Sequence, residues 1–350
     1  MRERVMRGAA LLAAAAIMLS AAGCGSSQQD DTNSVETVAA SGGELVAQKL
    51  DEGIYSLDYK GDYKLDEYLE ADIQTVEDLD KWFMENLTKG ISTEGSEFDM
   101  ACSSFAVATP EGEHLLGRNY DLDQSDSMFI RTKPDGGYAS IGIVDLGHLN
   151  IGQGCEAEID SEKGKSLLEA APYCICDGIN EKGLGVSLLQ LTEPHKVNDT
   201  DKHDLLVYIA LRALLDKCAD ADEAVAMLGE YDIYSPHSQW SYHVFITDKS
   251  GKSVVVEWVD GEMKVVEDNA VTNFILFEAP AYRDPDGRYT KLKKALEEKS
   301  TATNDEAMEM LGTVKVDWTR WSAVYDLEKY TAEVCFNGDL EKKYEFGGQI

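Results

Sequence analysis

The chain has 350 residues, of which 43% are hydrophobic and 9% aromatic, which is enough for one large globular domain with a leading segment or for two modest domains. Acidic residues outnumber basic ones by 65 to 32, which gives a formal net charge of −33 at pH 7. Such a charge opposes binding to a phosphate backbone, so nucleic acid is excluded as a partner. The acidity otherwise describes a solvated surface and indicates no particular substrate.

Residues 1–23 have the features of a bacterial export signal. A basic start precedes an Ala/Leu-rich run from Ala9 to Ala22, which is short for a spanning helix of about 20 apolar residues. The run ends in Ala21-Ala22-Gly23-Cys24, which resembles a lipobox, so Cys24 is the predicted site of lipid attachment. An ordinary secretory signal with an incidental cysteine is the alternative. We expect an exported protein that its lipid anchors to the outer face of the bacterial cell membrane.

Two segments separate this signal from the main domain. Residues 24–43 are mostly small and polar, which predicts a flexible tether. Residues 44–101 form a pro-segment with a strand pattern at Ile54–Tyr59 and a helix start at Thr75. The apolar stripe of that helix consists of Leu79, Trp82, Phe83 and Leu87. Polar, loop-like sequence follows up to Ala101.

Residues 102–350 are predicted to form one domain. It begins with a hairpin, because strand patterns at Ser103–Thr109 and His114–Asn119 flank the turn sequence Pro110-Glu111-Gly112-Glu113. Because strands and helices come in blocks, the pattern predicts an α+β layered domain with antiparallel sheets. The later elements are predicted strands at Gly183–Leu189, Val244–Thr247, Ser253–Trp258 and Met263–Glu267, and predicted helices at 203–217 and Asp220–Leu228.

The cysteines and histidines do not indicate a metal site. The chain contains no Cys-x-x-Cys motif and no His-x-x-x-His spacing, so we expect neither zinc nor another cofactor. Besides Cys24 and the cysteine discussed next, most of the remaining cysteines are interpreted as buried free thiols. They are Cys155, Cys174, Cys176, Cys218 and Cys335.

Three residues of the hairpin form a candidate catalytic group. Cys102 begins the first strand and Arg118 and Asp121 end the second, so strand pairing brings them together. A guanidinium favours the thiolate form of a nearby cysteine. Apart from His114, no histidine is close in sequence, but the α-amino group of a first-residue cysteine has a pKa of about 7.7 to 8.0 and could act as the base. Spacing alone favours the alternative, which is a buried cysteine with a surface Arg–Asp pair.

Five segments in the same order carry a family resemblance. The first two, Cys102-Ser103-Ser104-Phe105 and Gly117-Arg118-Asn119-Tyr120-Asp121, resemble the choloylglycine hydrolase family, which includes bile salt hydrolases, penicillin V acylases and related linear-amide hydrolases. Five ordered segments, spanning about residues 102 to 288, are far more specific than one. The other three are Asp177–Leu184, Phe245–Trp258 with Asp260-Gly261, and Ala270–Asn273.

The resemblance implies a fold and a nucleophile. Members of the family have an αββα sandwich, in which two antiparallel sheets lie between helix layers and the nucleophile begins a central strand. By this resemblance, Cys102 is the nucleophile and its own α-amino group is the general base. Arg118 and Asp121 match the family's Arg and Asp that hold the amine and the thiolate.

Three further positions match family residues around the reacting bond. Asn273 matches an Asn whose amide stabilises the tetrahedral intermediate. Gln190 stands where many members carry an Asn as the second donor, and its side chain is one methylene longer. Arg288, in Asp286-Gly287-Arg288-Tyr289, matches the last active-site Arg. Core packing, rather than an acyl pocket, is the favoured interpretation of Trp240, Trp258, Trp318 and Trp321.

The segment before Cys102 has a consequence for processing. In many relatives the cysteine follows the initiator Met, whereas here a signal, a tether and a pro-segment precede it. We therefore predict self-cleavage between Ala101 and Cys102. The pro-segment is expected to stay packed on the domain, because its apolar helix stripe would otherwise be exposed.

The predicted activity is hydrolysis of a linear, non-peptide C–N amide bond of a small molecule through an acyl-thioester on Cys102. Transfer of the same acyl group to an amine is a close alternative, and a non-catalytic solute-binding lipoprotein is the alternative from another class. Bile amides, penicillin V, acyl-homoserine lactones and N-acyl amino acids all fit the resemblance. The sequence leaves open which of these is the substrate and whether the protein forms a homo-oligomer.

Overall fold

The structure, a computed structural model, describes residues 33–34, 45–71, 73–93, 101–122, 125–191, 200–236, 239–277, 284–285 and 287–349. The predicted signal, Cys24 and, apart from residues 33–34, the predicted tether lie outside these ranges. Within the ranges, no helix is long and apolar enough to cross a membrane.

Strands dominate the described part of the chain. In chain order the strands are β1 (Asn33–Ser34), β2 (Gln48–Asp51), β3 (Ile54–Lys60), β4 (Ala101–Ala108), β5 (His114–Asp121), β6 (Ser127–Lys133), β7 (Ser140–Asp145), β8 (Ile175–Asn180), β9 (Leu184–Leu191), β10 (His203–Leu206), β11 (Tyr231–Tyr234), β12 (Ser241–Asp248), β13 (Ser253–Val259), β14 (Glu262–Glu267), β15 (Ala270–Val271), β16 (Thr319–Asp326), β17 (Thr331–Phe336) and β18 (Lys343–Gly347). The α-helices are α1 (Leu65–Glu70), α2 (Val76–Asn86), α3 (Glu162–Leu167), α4 (Val207–Lys217), α5 (Ala221–Leu228), α6 (Arg288–Glu298) and α7 (Asn304–Val314).

Most of these strands form two mixed, mainly antiparallel sheets. Sheet 1 has the order β1-β18-β17-β16-β5-β4-β15, and sheet 2 has the order β14-β13-β12-β9-β8-β7-β6-β3-β2. Helices α6 and α7 pack on sheet 1, and α4 and α5 pack on sheet 2. The layers therefore run helix, sheet, sheet, helix, which is the predicted αββα sandwich.

The structure confirms the α+β class and most of the predicted elements. The hairpin is β4 and β5, the meander is β12 to β14, and α2 begins after Thr75, whose side chain accepts a hydrogen bond from the backbone N–H of Asp78. The predicted helix at 203–217 is wrong over its first four residues. His203–Leu206 form β10, which pairs in parallel with β11, so this tertiary pairing overrides the local helical pattern.

The strands of the predicted pro-segment, β2 and β3, belong to sheet 2. β3 pairs in parallel with β6 along its whole length, and β2 pairs with β3 at the sheet edge. The hydroxyl of Tyr63 donates to Asp216 Oδ2 at 2.5 Å, and the Tyr173 hydroxyl donates to the carbonyl of Tyr63 at 2.5 Å. On α2, Phe83 is 3% exposed and its ring lies 5.2 Å from that of Tyr173. Leu79 and Leu87 are buried too, as expected for the helix stripe, whereas Trp82 is half-buried.

Candidate active site

Cys102 is the second residue of β4. Across the β4–β5 pair it lies opposite Tyr120, while Arg118 lies opposite Ser104 and Asp121 opposite Ala101. The hairpin thus places the Arg118 guanidinium on the same face as the Cys102 thiol, whereas Asp121 lies on the other face and is linked to the Cys102 carbonyl through Arg288. All three side chains are fully buried, with 0% exposure, so the alternative of a surface Arg–Asp pair is wrong.

The Arg118 guanidinium bridges the two sheets beside the thiol. Its Nη2 donates to Cys102 Sγ at 3.1 Å and to the carbonyl of Leu188 at 2.7 Å. Its Nε lies 3.4 Å from Asp177 Oδ2, and its central carbon lies 5.6 Å from the Tyr120 ring centroid. Contacts with β4, β5, β8 and β9 therefore hold the positively charged guanidinium next to the sulfur.

A local separation of β8 from β9 makes room for these contacts. The pairing of the two strands ends at Asp177, although β9 continues beyond that point. Cys176 is an extra residue of β8 relative to β7, and such a bulge bends the strand that carries it. The carbonyl oxygens of Leu188 and Gln190 then accept hydrogen bonds from the Arg118 guanidinium and the Asn273 amide instead of from a neighbouring strand.

Asn273 and Arg288 hold the backbone of the nucleophile. The N–H of Cys102 donates to Asn273 Oδ1 at 2.6 Å, and Asn273 Nδ2 donates to the carbonyl of Gln190 at 2.7 Å. Arg288, the first residue of α6, donates from Nη1 to the carbonyl of Cys102 at 3.0 Å and to Asp121 Oδ2 at 3.1 Å. Its Nη2 donates to Asn273 Oδ1 at 2.9 Å. Both sides of the Cys102 backbone are thus fixed by residues distant in sequence.

The side chain of Gln190 belongs to a tyrosine network next to this group. Gln190 lies opposite Tyr242 across the β9–β12 pair, and the Tyr208 hydroxyl donates to that of Tyr242 at 3.0 Å. Burial raises the pKa of Tyr242 to about 12, and hydrogen bonds with Tyr208 and Gln190 offset part of the rise. The role of Gln190 as an oxyanion donor stays a prediction.

Burial raises the pKa of the Cys102 thiol above its ordinary value. The charges of Arg118 and Arg288 and the hydrogen bond from Arg118 lower it again, but only in part, while the Asp121 carboxylate adds to the rise. The net direction of these effects therefore favours the neutral thiol over the thiolate. Attack by this sulfur consequently requires a base that accepts its proton.

Sequence reasoning missed the residues that support Arg118 and Asp121. Asp177, which faces Arg118, accepts hydrogen bonds from Trp321 Nε1 at 2.9 Å and from the Tyr325 hydroxyl. Thr319 Oγ1 donates to Asp121 Oδ1 at 2.6 Å. A charged residue inside the apolar strand β8 is the sequence signal that could have singled out Asp177, whereas nothing local marks the threonine.

The predicted core residues have mixed outcomes. Trp321 and Trp258 are buried as expected, but Trp318 is 48% exposed, so the core interpretation is wrong for that residue. Buried free thiols are confirmed at Cys176, Cys218 and Cys335, and Cys102 is also a buried free thiol. Cys155 and Cys174 are free but only half-buried. Across the described ranges, no group of three or more His, Cys, Asp or Glu side chains is arranged to hold a metal ion.

Solved structures identify the fold class. Two variants of the conjugated bile acid hydrolase from Clostridium perfringens match this chain with TM-scores of 0.51 and 0.50 at 18% sequence identity. Each match covers 67% of this chain and 89% of the other. The protein therefore has the fold of the N-terminal-nucleophile hydrolases.

The chain belongs to the choloylglycine hydrolase family of linear amide C–N hydrolases, whose family model matches residues 102–284. It is 26% identical over 190 residues to a penicillin V acylase from Pectobacterium atrosepticum, a match that covers 49% of this chain and 48% of that protein. It is also 26% identical over 190 residues to a bile salt hydrolase/transferase from Clostridium perfringens, with 51% and 54% covered. The chain thus spans about half the length of the curated relatives it matches.

Proposed function

We propose that this protein hydrolyses a linear C–N amide bond of a small molecule through an acyl-thioester on Cys102. The environment of Cys102 carries the proposal, because Arg118 Nη2 lies 3.1 Å from the sulfur while Asn273 and Arg288 bind the backbone N–H and carbonyl. The family match begins at residue 102, which supports the same residue as the nucleophile.

The reaction requires that the chain first cleaves itself between Ala101 and Cys102. The Cys102 sulfur attacks the Ala101 carbonyl carbon, the peptide C–N bond breaks, and the nitrogen takes up the thiol proton. Water then hydrolyses the resulting thioester, which releases the Ala101 carboxylate and restores the thiol. The new α-amino group of Cys102 stays next to Asn273 Oδ1, the acceptor of its N–H at 2.6 Å in the uncleaved chain.

In turnover, this α-amino group accepts the thiol proton while the sulfur attacks the substrate carbonyl carbon. The raised pKa of the buried Cys102 thiol supports the need for such a base, and an α-amino group ordinarily titrates at about 7.7 to 8.0. The proton then passes to the leaving amine as the C–N bond breaks. Water finally cleaves the thioester and releases the acid. The Asn273 amide and the Gln190 side chain are the proposed donors to the oxyanion.

The same proposal includes a membrane anchor on Cys24. After cleavage, the lipid would be on the released pro-segment fragment, so the hydrolase stays at the membrane only if the fragments remain associated. The pairing of β3 with β6 and the hydrogen bond from Tyr63 to Asp216 support that association. Both fragments are expected to elute together in non-denaturing gel filtration, and separate elution would contradict this part of the proposal.

A panel of linear amides, with the released amine measured, tests the activity. Wild-type protein should release amine and give the two masses of a chain cut before Cys102, whereas Cys102→Ala should do neither. Cys335→Ala, which removes a buried thiol away from the site, is the matched control and should retain both properties. Amine release by Cys102→Ala would contradict the mechanism. An added acceptor amine shows whether the thioester also acylates amines.

A further inference from the structure

His243 on β12 and Glu257 on β13 form a fully buried pair outside the reaction described above. His243 Nδ1 lies 2.9 Å from Glu257 Oε1, and both side chains are 0% exposed. The two strands are antiparallel neighbours in sheet 2. A buried ionised or strongly polar pair is weak evidence for added stability, because apolar residues of similar volume often serve as well. The role of the His243–Glu257 pair is therefore sought in the groups that the two side chains contact.

The strand register places this pair in the layer between the two sheets. His243 lies opposite Leu189 on β9, and Ser187, two residues before Leu189, lies opposite Asp177 on β8. Side chains two residues apart on a strand share a face, as do cross-strand partners. His243 and Glu257 therefore face the same layer as Asp177, the residue beside Arg118.

The Glu257 carboxylate binds the loop that carries Asn273. Its Oε1 accepts a hydrogen bond from the backbone N–H of Leu276 at 2.8 Å, and its Oε2 accepts one from Phe277 at 2.9 Å. These N–H groups lie between β15 and α6, where no strand backbone within the described ranges accepts their hydrogen bonds. A buried N–H without an acceptor lowers the stability of the fold. Both carboxylate oxygens of Glu257 are thus used to fix this loop.

Asn273 lies three residues before the first of these anchors. Three extended residues span at most about 10 Å, so the anchor at Leu276 limits the positions that Asn273 can adopt. Asn273 Oδ1 is the atom that accepts the Cys102 N–H and the Arg288 Nη2–H. The position of the loop therefore sets the position of the group that would hold the α-amino base.

We propose that Glu257, oriented by His243, is a positioning residue that acts through Asn273. It fixes the backbone at Leu276 and Phe277 so that Asn273 Oδ1 stays on the Cys102 nitrogen. The catalytic consequence rests on the proposed amide hydrolysis, whereas the contact between Glu257 and the loop does not.

The test compares Glu257→Gln with a control that has the same chemistry elsewhere. Glu257→Gln replaces one acceptor oxygen by an NH₂ group, which cannot accept a backbone N–H. Asp248 is the matched residue, because its buried carboxylate accepts the N–H groups of Ala221 at 2.9 Å and Ser250 at 2.8 Å, so Asp248→Asn is the control. Amide hydrogen exchange of residues 272–277 is measured together with kcat and KM on an amide that the wild type turns over.

We expect Glu257→Gln to speed exchange at Leu276 and Phe277 by about tenfold or more, as for loss of a hydrogen bond to a charged acceptor. It should lower kcat by about 10- to 100-fold at nearly constant KM, since a small misplacement of a catalytic group has effects of that order. In an Asn273→Ala background the same substitution should have little further effect on kcat, because both act through one group. Asp248→Asn should change neither the exchange of this loop nor kcat.

Unchanged exchange at Leu276 and Phe277 overturns the inference, and so does an unchanged kcat or an equally large loss in the Asn273→Ala background. If Glu257→Gln does not fold, His243→Gln is measured in the same way, with faster loop exchange and lower kcat expected and no change in either contradicting the inference. A wild type that turns over no amide contradicts the proposed function, and the exchange measurement then decides the inference alone.

Discussion

Replacing Arg118 with Met removes the positive charge closest to the Cys102 sulfur. The guanidinium Nη2 lies 3.1 Å from Sγ and both side chains are fully buried, so bulk solvent does not screen the interaction. At an effective dielectric constant near 20, two unit charges at that distance interact by roughly 5 kcal/mol, which is an upper limit. Hydrogen bonds to charged groups are worth about 1.5–3 kcal/mol net, and we use this lower range.

One pKa unit corresponds to about 1.36 kcal/mol, so Arg118→Met should raise the pKa of the Cys102 thiol by about one to two units. The direction follows from the site, because burial already raises this pKa and Arg118 is the largest influence that lowers it. Below the thiol pKa, the thiolate fraction should then fall by about 10- to 100-fold.

The assay is the rate of alkylation of Cys102 by iodoacetamide as a function of pH. The rate is read from the mass of the peptide that contains Cys102, so that the half-buried Cys155 and Cys174 do not contribute. Arg131→Met is the control, because Arg131 is a buried arginine whose Nε lies 2.6 Å from Asp58 Oδ1. It lies on β6, which β7 and β8 separate from β9 in sheet 2. A midpoint for Cys102 that stays in place or falls in Arg118→Met would show that Arg118 does not lower the pKa of this thiol.

Three stability predictions follow from packing and hydrogen bonds. Phe83→Ala, next to Tyr173, should destabilise the protein by about 3–5 kcal/mol and release the pro-segment fragment after cleavage; retention of the fragment at wild-type stability in urea would contradict this. Gly117→Ala should cost about 1–3 kcal/mol, because a Cβ there lies 2.5 Å from Phe105 ring atoms, and an unchanged Tm would argue against that clash. Asn180→Ala should lower the free energy of unfolding by roughly 2–4 kcal/mol in urea denaturation, because the side chain makes four hydrogen bonds to backbone groups. The kcat per folded molecule should be retained, and a fall in kcat alone would instead indicate a catalytic role.

Local pattern was sufficient for the parts of the fold that depend on neighbouring residues. The β4–β5 hairpin follows from alternation around a Pro-Glu-Gly-Glu turn, and α2 follows from a Thr75 cap before an apolar stripe. The pattern failed at His203–Leu206. These residues form a strand because they pair with β11, which follows α5 in the chain. Helix α1, only six residues long, gave no periodic signal that could be recognised.

The candidate site was also predicted only in part. Spacing alone brought Cys102 close to Arg118 and Asp121, and the family resemblance added Asn273 and Arg288, which the structure places on the Cys102 backbone. A charged residue inside an apolar strand could have marked a supporting carboxylate, but its hydrogen-bond partners could not be predicted from the sequence. Asp177 and Glu257 both lie inside apolar strands, but their partners come from other strands and loops that only the fold brings together.

The most direct test of Cys102 as the nucleophile is the mass of the Cys102 peptide during turnover. Wild-type protein is mixed with an amide that it hydrolyses, quenched in acid within the first turnovers and digested, and the masses of its peptides are then measured. The proposed mechanism predicts a peptide that begins at Cys102 and is heavier by the acyl group of the substrate. Turnover with an unmodified Cys102, or with a peptide that still extends through Ala101, would contradict it.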